Sequence, residues 1–192
     1  MHQSTESSLS LDMSIRKAAI EDMNAIVRIW LEGQSATSEK ISIDELTAFY
    51  SPHLVRHSER FGIWIAESRD ESGCLVTLGW QALLPCRPQP LFEQYWAQSS
   101  TYISNGSRTR GVGRSLLTFI CSQAISSGLS HIVGYIRADN PIPIRLVSKL
   151  GWQLVGSVPR SSDSDPQLCC YMYAVPPKPT VAGPPTEFTQ ND

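Results

Sequence analysis

The stretch of sequence that decides the fold is Arg108-Thr109-Arg110-Gly111-Val112-Gly113. It lies between a run typical of a β-strand and an apolar periodicity typical of an α-helix. Its two glycines allow the backbone to approach a ligand closely. The first N–H groups of the following helix have no intrahelical partners, and with the helix dipole they attract an anion. Arg114 and the two loop arginines add positive charge, so the stretch predicts a loop that binds a pyrophosphate.

This loop and the sequence around it resemble the GNAT acetyltransferase superfamily. The coenzyme-A loop of that family reads (Gln/Arg)-x-x-Gly-x-(Gly/Ala) between its fourth strand and third helix, and Arg108, Gly111 and Gly113 fill the three defined positions. The chain is similar to the phosphinothricin acetyltransferase branch in particular, over most of residues 14–175. Further matching stretches are Gly79-Trp80-Gln81-Ala82, Pro85-Cys86-Arg87-Pro88, Ser100-Thr101-Tyr102-Ile103, Ala138-Asp139-Asn140 and the run 145–152.

Length and composition favour one cytoplasmic domain. A chain of 192 residues with 41% hydrophobic content can bury one good core. The net charge of −2 gives no general attraction to nucleic acid or to an anionic membrane, so we expect neither partner. No run approaches the ~18 apolar residues of a membrane span. The five cysteines are odd in number and lack the paired short spacings of a zinc site, which indicates reduced cytosolic thiols.

The two ends of the chain differ in composition from its middle. Residues 1–12 are Ser-rich and polar, and residues 176–192 contain five prolines with little to bury. We therefore predict a disordered N-terminal segment at 1–12, an acetyltransferase domain at 13–175 and a disordered Pro-rich tail at 176–192.

The hydrophobic pattern mixes strands with helices. Helical periodicity covers 20–31, 43–58 with an interruption at Pro52, the run from the glycine loop to a left-handed cap at Gly128, and 142–150. Strand patterns cover 14–18, 61–67, 75–84, 99–104, 132–137, 152–158 and 168–175. This is an α/β (α+β) pattern. The resemblance implies a mixed, mostly antiparallel sheet of six or seven strands with helices on both faces, whose fourth and fifth strands splay apart around the pantetheine arm.

The resemblance also implies how acetyl-CoA is held. Its pyrophosphate would lie on the loop and the first helical turn, from Arg108 to Arg114. Asn140 would bind the pantetheine, although an Asn at this position also suits a helix N-cap. Backbone amides at Tyr102 and Ile103, freed by the splay, would stabilise the oxyanion of the reacting thioester. No metal is expected.

Two departures from the branch concern acid–base chemistry. Gln98 stands where the branch has a glutamate as general base, and an amide cannot take a proton. Val147 stands where the superfamily has a tyrosine, or the branch a histidine, to protonate the thiolate. A thiol of pKa ~8.5 can leave without that acid, so the missing base is the more serious loss. The remaining candidates for a base are Tyr102, Glu93, His53 and His57, whereas His131 begins a strand and is expected to cap a turn.

Trp80, Arg87 and Tyr95, with Trp96, are the residues that we expect around the acceptor mouth, where Arg87 could clamp a carboxylate or phosphinate. The segment 33–42 departs from the branch, so the acceptor cannot be carried over. We interpret the chain as an N-acetyltransferase that transfers acetyl from acetyl-CoA directly to a primary amine of a small amino-acid-like molecule. A protein amine is the enzymatic alternative, and Gln98 with Val147 leaves open an acyl-CoA-binding module with little catalysis. A homodimer is also left open.

Overall fold

The structure is a computed structural model that describes residues 13–34, 41–56, 58–86, 95–108, 111–163 and 165–178. The segments predicted to be disordered, 1–12 and most of 176–192, lie outside these residues. None of the described helices is long and apolar enough to cross a membrane.

Seven strands form one mixed sheet in the order β1-β2-β3-β4-β5-β7-β6. The strands are β1 Met13–Lys17, β2 Gly62–Arg69, β3 Leu75–Pro85, β4 Trp96–Ile103, β5 His131–Arg137, β6 Gln153–Val158 and β7 Leu168–Ala174. The helices are α1 Met23–Glu32, α2 Ile43–Val55, α3 Val112–Ser127 and α4 Pro141–Lys149. Every neighbouring pair in the sheet is antiparallel except β4 and β5, so the predicted fold class is confirmed.

Helices cover both faces of the sheet, as predicted. On one face α1 and α2 bury their apolar stripes against β2 and β3, with Ile26, Ile29 and Tyr50 among the core residues. On the other face α3 and α4 pack over β3, β4, β5 and β7 through residues such as Ile120 and Val147. Successive strand residues point to opposite faces, which assigns each side chain of β4 to one of these two layers.

The helix ends follow the capping signals of the sequence, with one exception. Gly111 precedes α3 with φ 76°, and Gly128 ends it with φ 72°, both in the left-handed region that favours glycine. The prediction that Pro52 interrupts the second helix is wrong, since α2 runs through Pro52 to Val55. Pro52 lies in the last turn, where the hydrogen bond it cannot donate would go to the carbonyl of the exposed Ala48.

The splay between β4 and β5 is present. The two strands pair in parallel over three positions, Trp96 with His131, Ala97 with Ile132 and Gln98 with Val133, and no pairing follows. β4 starts at Trp96, three residues earlier than the strand pattern predicts. From Ser99 onward the edge of β4 that faces β5 is therefore open, and this opening leads to the glycine loop.

Candidate coenzyme and acceptor site

The glycine loop ends at the N-terminus of α3. Gly111 holds the left-handed conformation that starts the helix, and a Cβ placed there would meet no atom within 4 Å. Its glycine is therefore required by backbone conformation rather than by space. Arg114 is exposed on the first turn, while Thr109 and Arg110 lie outside the described residues. The sixteen-residue α3 thus presents unpaired N–H groups and positive charge at one point.

Gly113 plays a different part from Gly111. A Cβ placed on Gly113 would lie 3.5 Å from Leu146 Cδ2 and 3.8 Å from Ile103 Cγ1, which are ordinary van der Waals distances. Alanine therefore fits at this position, whereas a longer side chain would have to enter the space between β4, α3 and α4. Gly113 keeps that space open beside the splay.

The guanidinium of Arg108 is exposed, and it donates to the backbone carbonyl of Glu32 at the end of α1, at 3.4 Å. The Glu32 carboxylate in turn accepts from the backbone N–H of Asn105 at 2.7 Å and from Arg28 at 2.8 Å. The C-terminal end of α1 is therefore tied to the turn that precedes the glycine loop.

The hydrogen-bond alternation of β4 identifies which amides face the opening. The backbone N–H of Ser104 donates to the carbonyl of Leu78, and the backbone N–H of Cys86 donates to the carbonyl of Trp96. The β3–β4 register between these two bonds is unbroken. Even-numbered residues of β4 therefore bond to β3, because bonded and non-bonded pairs alternate in an antiparallel ladder. The N–H groups of Thr101 and Ile103 point the other way, into the splay, and no described residue accepts them.

This alternation corrects one residue of the predicted pair. The prediction places the unpaired amides at Tyr102 and Ile103, but Tyr102 lies opposite Trp80 in a bonded pair, so its amide is used within the sheet. Ile103 keeps its place, and Thr101 takes that of Tyr102. The error arose because the pattern of residues along a strand does not show which of them form bonded pairs, which depends on the register of the ladder.

The side chain of Tyr102 is part of an aromatic cluster beneath α1 and α2. Its ring stacks on Trp80 with centroids 4.6 Å apart, Tyr50 meets Trp80 edge-on at 5.2 Å, and Trp30 lies 6.3 Å from Tyr102. Burial raises the pKa of Tyr102, against a smaller opposing hydrogen bond from Trp30. A raised pKa leaves even less of the phenolate form at neutral pH than in free tyrosine, so the cluster favours packing as the role of this side chain.

Trp80 does not line an acceptor mouth in this structure, which corrects that prediction. Its side chain is fully buried, and its indole N–H donates to the carbonyl of Ile26 at 3.0 Å. Tyr95 precedes β4 at the end opposite to Ile103, exposed by 40% and with the Arg60 guanidinium 5.4 Å from its ring centroid. The structure therefore does not bring Trp80 and Tyr95 together, and Arg87 lies outside the described residues.

Gln98 lies on the α1 and α2 face of β4, at the point where β5 diverges, and it is exposed. Because the β3–β4 register has no bulge, Tyr102 shares this face with Gln98. Burial, followed by the charge of Arg56, lowers the pKa of the candidate base His53. His131 packs on Trp96 with ring centroids 4.5 Å apart, at the start of β5. Glu93 and His57 lie outside the described residues.

The two remaining residues carried over from the family lie near the other rim of the splay. Asn140 occupies the N-cap position of α4, is exposed, and makes no capping bond through its side chain. Val147 is buried in the apolar core under α3 and α4. The described part of the chain contains no group of three or more His, Cys, Asp or Glu side chains suited to hold a metal ion.

A buried polar network, which the sequence analysis missed, lies on the α3 and α4 face of the sheet. Fully buried Gln81 donates through Nε2 to Ser99 Oγ and accepts from the Thr101 hydroxyl. Ser99 is itself only 8% exposed. The available signal was a glutamine inside the otherwise apolar run 78–84, together with two hydroxyl residues on β4, Ser99 and Thr101, whose spacing of two places them on one face.

Comparisons with known proteins agree with this geometry, although no protein-family model matches the chain. An L-methionine sulfoximine/L-methionine sulfone acetyltransferase of Pseudomonas paraeruginosa is 25% identical over 159 residues, covering 78% of this chain and 86% of that protein. A GNAT superfamily phosphinothricin acetyltransferase from Sinorhizobium meliloti, solved with acetyl-CoA, superposes with TM-score 0.69 at 21% identity, over 92% of this chain and 94% of the other.

A ribosomal-protein-alanine N-acetyltransferase from Brucella melitensis has TM-score 0.68 at 17% identity, over 84% of this chain and 99% of the other. The chain therefore has the GNAT fold, and the predicted resemblance to the GNAT acetyltransferases and their phosphinothricin branch is confirmed. Because relatives with different acceptors share the fold, the fold does not by itself identify the acceptor.

Proposed function

We propose that this protein is an N-acetyltransferase that transfers the acetyl group of acetyl-CoA directly to the primary amine of a small amino-acid-like molecule. The observation that carries the proposal is the broken edge of β4, where two backbone N–H groups point into an opening next to the N-terminus of α3. The acetyltransferases named above support the same activity and acetyl-CoA as its co-substrate.

The coenzyme would lie along the opening of the sheet. Its pyrophosphate would be bound by the loop and first turn at Arg108, Thr109, Arg110, Gly111, Val112, Gly113 and Arg114, and its pantetheine by the Asn140 amide. The unpaired N–H groups of α3 and its arginines favour the anion, and the room kept by Gly113 admits it. The coenzyme supplies an activated thioester to which the protein adds position and hydrogen bonds.

The amides of Thr101 and Ile103 would donate hydrogen bonds to the oxygen of the reacting carbonyl as negative charge develops on it. Such fixed donors stabilise the transition state more than the ground state, which is what accelerates acyl transfer. Direct transfer is favoured over an acyl-enzyme because none of the five cysteines falls at a catalytic position matched to the family.

The acceptor would approach from the α1 and α2 face, where Gln98 lies. Gln98 can orient an amine by hydrogen bonding but cannot take its proton. The amine would arrive neutral or lose its proton to water, so we expect the rate to rise with pH up to the pKa of the amine itself. Arg87 and Tyr95 remain candidates for contacts with the acceptor.

A screen for thiol release tests the activity and the acceptor together. Acetyl-CoA would be offered with L-methionine sulfone, L-methionine sulfoximine, phosphinothricin, the common amino acids, polyamines and peptides. We expect turnover with at least one amino-acid-like amine and none without an amine. Tight binding of acetyl-CoA without turnover across this panel would contradict the proposal. It would instead support a non-catalytic acyl-CoA-binding module, the alternative that Gln98 and Val147 favour.

The placement of the coenzyme is tested at one position with two substitutions. Gly113→Glu should largely abolish acetyl-CoA binding in calorimetry, because a long acidic side chain enters the opening beside the pyrophosphate. Gly113→Ala is the matched control and should bind within a few-fold of the wild type, since its methyl group fits at ordinary contact distance. Wild-type affinity in Gly113→Glu would overturn the placement.

A protein amine is the second enzymatic candidate, and the fold shared with the Brucella melitensis relative keeps it in the panel. Preferred turnover of a protein N-terminus over every free amino acid would select it. We further propose that the enzyme acts in the cytoplasm as a domain over residues 13–175, without nucleic-acid or membrane partners. The odd number of cysteines, without the paired short spacings of a zinc site, supports this location.

A further inference from the structure

In the proposed function, on which this role of the β4 residues rests, the leaving group is the thiolate of coenzyme A. Val147 provides no proton donor on the α4 side. Another group on the same face of the sheet is therefore needed to donate a hydrogen bond to the sulfur as negative charge develops on it. The buried network of Gln81, Ser99 and Thr101 lies on that face, and Ser99 is the first residue of β4 beyond its last pair with β5.

The orientation of the Gln81 amide is fixed by its neighbours. Its nitrogen lies 3.4 Å from the carbonyl oxygen of Ala82, a group that can only accept a hydrogen bond. The Nε2 hydrogens therefore point to Ala82 and Ser99, and Oε1 points to Thr101. Reversing the amide would place two oxygens against each other, so this assignment follows from the network.

The orientation of the Gln81 amide determines which of the two hydroxyl groups has a hydrogen free to donate. Thr101 must donate to Oε1, because that oxygen carries no hydrogen. Ser99 accepts from Nε2, so its own hydrogen is not used in the network, and no described residue accepts it. A buried hydroxyl with an unused donor hydrogen is costly unless it meets an acceptor, which here can only come from outside the network.

The surroundings of Ser99 place its hydroxyl hydrogen at the vertex of the splay, which is the point where β4 and β5 diverge after Gln98 and Val133. The Ser99 carbonyl oxygen lies 3.9 Å from the position of a Cβ on Gly134 of β5, and the ring of Trp152 lies 3.3 Å from the same position. Gly134 faces α3 and α4, as do its neighbours Ile132 and Ile136 two residues away. The Trp152 ring covers Gly134 on this face, and β4 and β5 separate directly beyond Ser99, so the hydroxyl lies where the opening begins.

We propose that Ser99 is a further catalytic residue, whose hydroxyl donates a hydrogen bond to the sulfur of the leaving thiolate. When the amine nitrogen bonds to the acetyl carbon, the carbon–sulfur bond breaks and its electron pair goes to sulfur. The amine gives its surplus proton to water, Ser99 keeps its own proton throughout, and the thiolate takes a proton from solvent after release. Gln81 is the positioning residue that keeps the Ser99 hydrogen available.

The test reads the ionisation of coenzyme A bound to the full chain, without turnover. The thiol pKa is measured from the ultraviolet absorbance of the thiolate against pH, and the complex with desulfo-coenzyme A is subtracted to remove the five protein thiols. In the wild type we expect a pKa below the ~8.5 of a free thiol. Ser99→Ala should raise it by about one unit, as expected for the loss of a hydrogen bond to a charged group.

Two variants control the measurement. Ser99→Thr keeps the hydroxyl and should restore most of the shift. Ser100→Ala removes a neighbouring hydroxyl from the opposite face of β4 and should leave the thiol pKa at its wild-type value. In turnover, Ser99→Ala should lower kcat about tenfold with little change in KM for acetyl-CoA, since the bond forms as the charge develops.

Three outcomes would overturn the inference. An unchanged thiol pKa in Ser99→Ala with coenzyme A still bound would overturn it and leave the acetyltransferase proposal intact. An equal loss of affinity for coenzyme A and desulfo-coenzyme A would show that Ser99 acts only in the structure. Failure of the wild type to bind coenzyme A would remove the proposed function and, with it, this role of Ser99.

Discussion

The two faces of β4 contribute different kinds of chemical group to the site. Toward β5, α3 and α4, the site consists of backbone amides, glycines and one buried polar network. Toward α1 and α2, it consists of side chains, with exposed Gln98 at the vertex and Tyr102 closed in by Trp80. Backbone geometry serves any acyl-CoA, whereas side chains select one acceptor. This difference explains why the coenzyme can be inferred from backbone features of the chain, whereas the choice of acceptor depends on its side chains.

The largest effect on activity is expected when the backbone of β4 is displaced. A Cβ on Gly79 would lie 2.7 Å from the Tyr102 carbonyl oxygen and 2.8 Å from Ile103 Cδ1, so Gly79→Ala must push the end of β4 away from β3. We expect an activity loss of about 100-fold, as for a misplacement of about 1 Å. The free energy of unfolding should fall by about 1–3 kcal/mol.

Gly156→Ala is the matched control for this substitution. Gly156 is also a strand glycine, in β6, but a Cβ there would meet no atom within 4 Å. Turnover assays and thermal melts of the two variants separate the effect of crowding on β4 from that of any alanine in a strand. Wild-type turnover by Gly79→Ala would show that the alignment of Thr101 and Ile103 is unimportant.

The α1 and α2 face of β4 lacks a general base, and a substitution at Gln98 can supply one. Gln98→Glu should raise the rate at neutral pH by about 10- to 100-fold, the lower part of what a placed base contributes. Its carboxylate, with an ordinary pKa of ~4.3, is ionised at pH 7 and can take a proton from the amine. The gain should therefore be present at pH 6–7 and disappear as the pH falls through the pKa of the new carboxyl.

Gln153→Glu adds the same charge at an exposed glutamine of β6 and should leave the pH–rate profile unchanged. The wild type should show a rate that rises toward the pKa of the amine without a shoulder in the carboxylate range. A wild-type plateau at pH 6–7, together with a neutral or harmful Gln98→Glu, would show that another base serves the α1 and α2 face.

The sequence predicts the backbone side of the site better than the side-chain side. The glycine loop and the cap at Gly128 follow from local conformational rules, and the splay of the fourth and fifth strands follows from the resemblance. The errors at Tyr102, Trp80 and Pro52 have another origin. Each depends on strand register, burial or helix continuation, which are set by contacts distant in sequence. The Gln81 network was missed for the same reason, because its three side chains meet only across paired strands.

The smallest effect is expected for Arg108→Ala, which tests whether side-chain charge or the backbone contributes more to coenzyme binding at the glycine loop. Arg108→Ala removes one exposed positive charge, and a charge about 6 Å from a phosphate in water contributes roughly 0.7 kcal/mol. We expect acetyl-CoA affinity to fall about threefold at low salt and to match the wild type at roughly 0.5 M salt, where the charge is screened. Calorimetry across a salt series measures both limits.

Arg160→Ala, in the loop between β6 and β7, is the control for the same change in net charge. It should leave the affinity unaltered at every salt concentration if the charge acts locally. A loss in Arg108→Ala that persisted at high salt would identify a direct contact or the bond to the Glu32 carbonyl as the source. A side chain would then hold the coenzyme alongside the backbone, and the contrast between the two faces of β4 would be weaker than their geometry indicates.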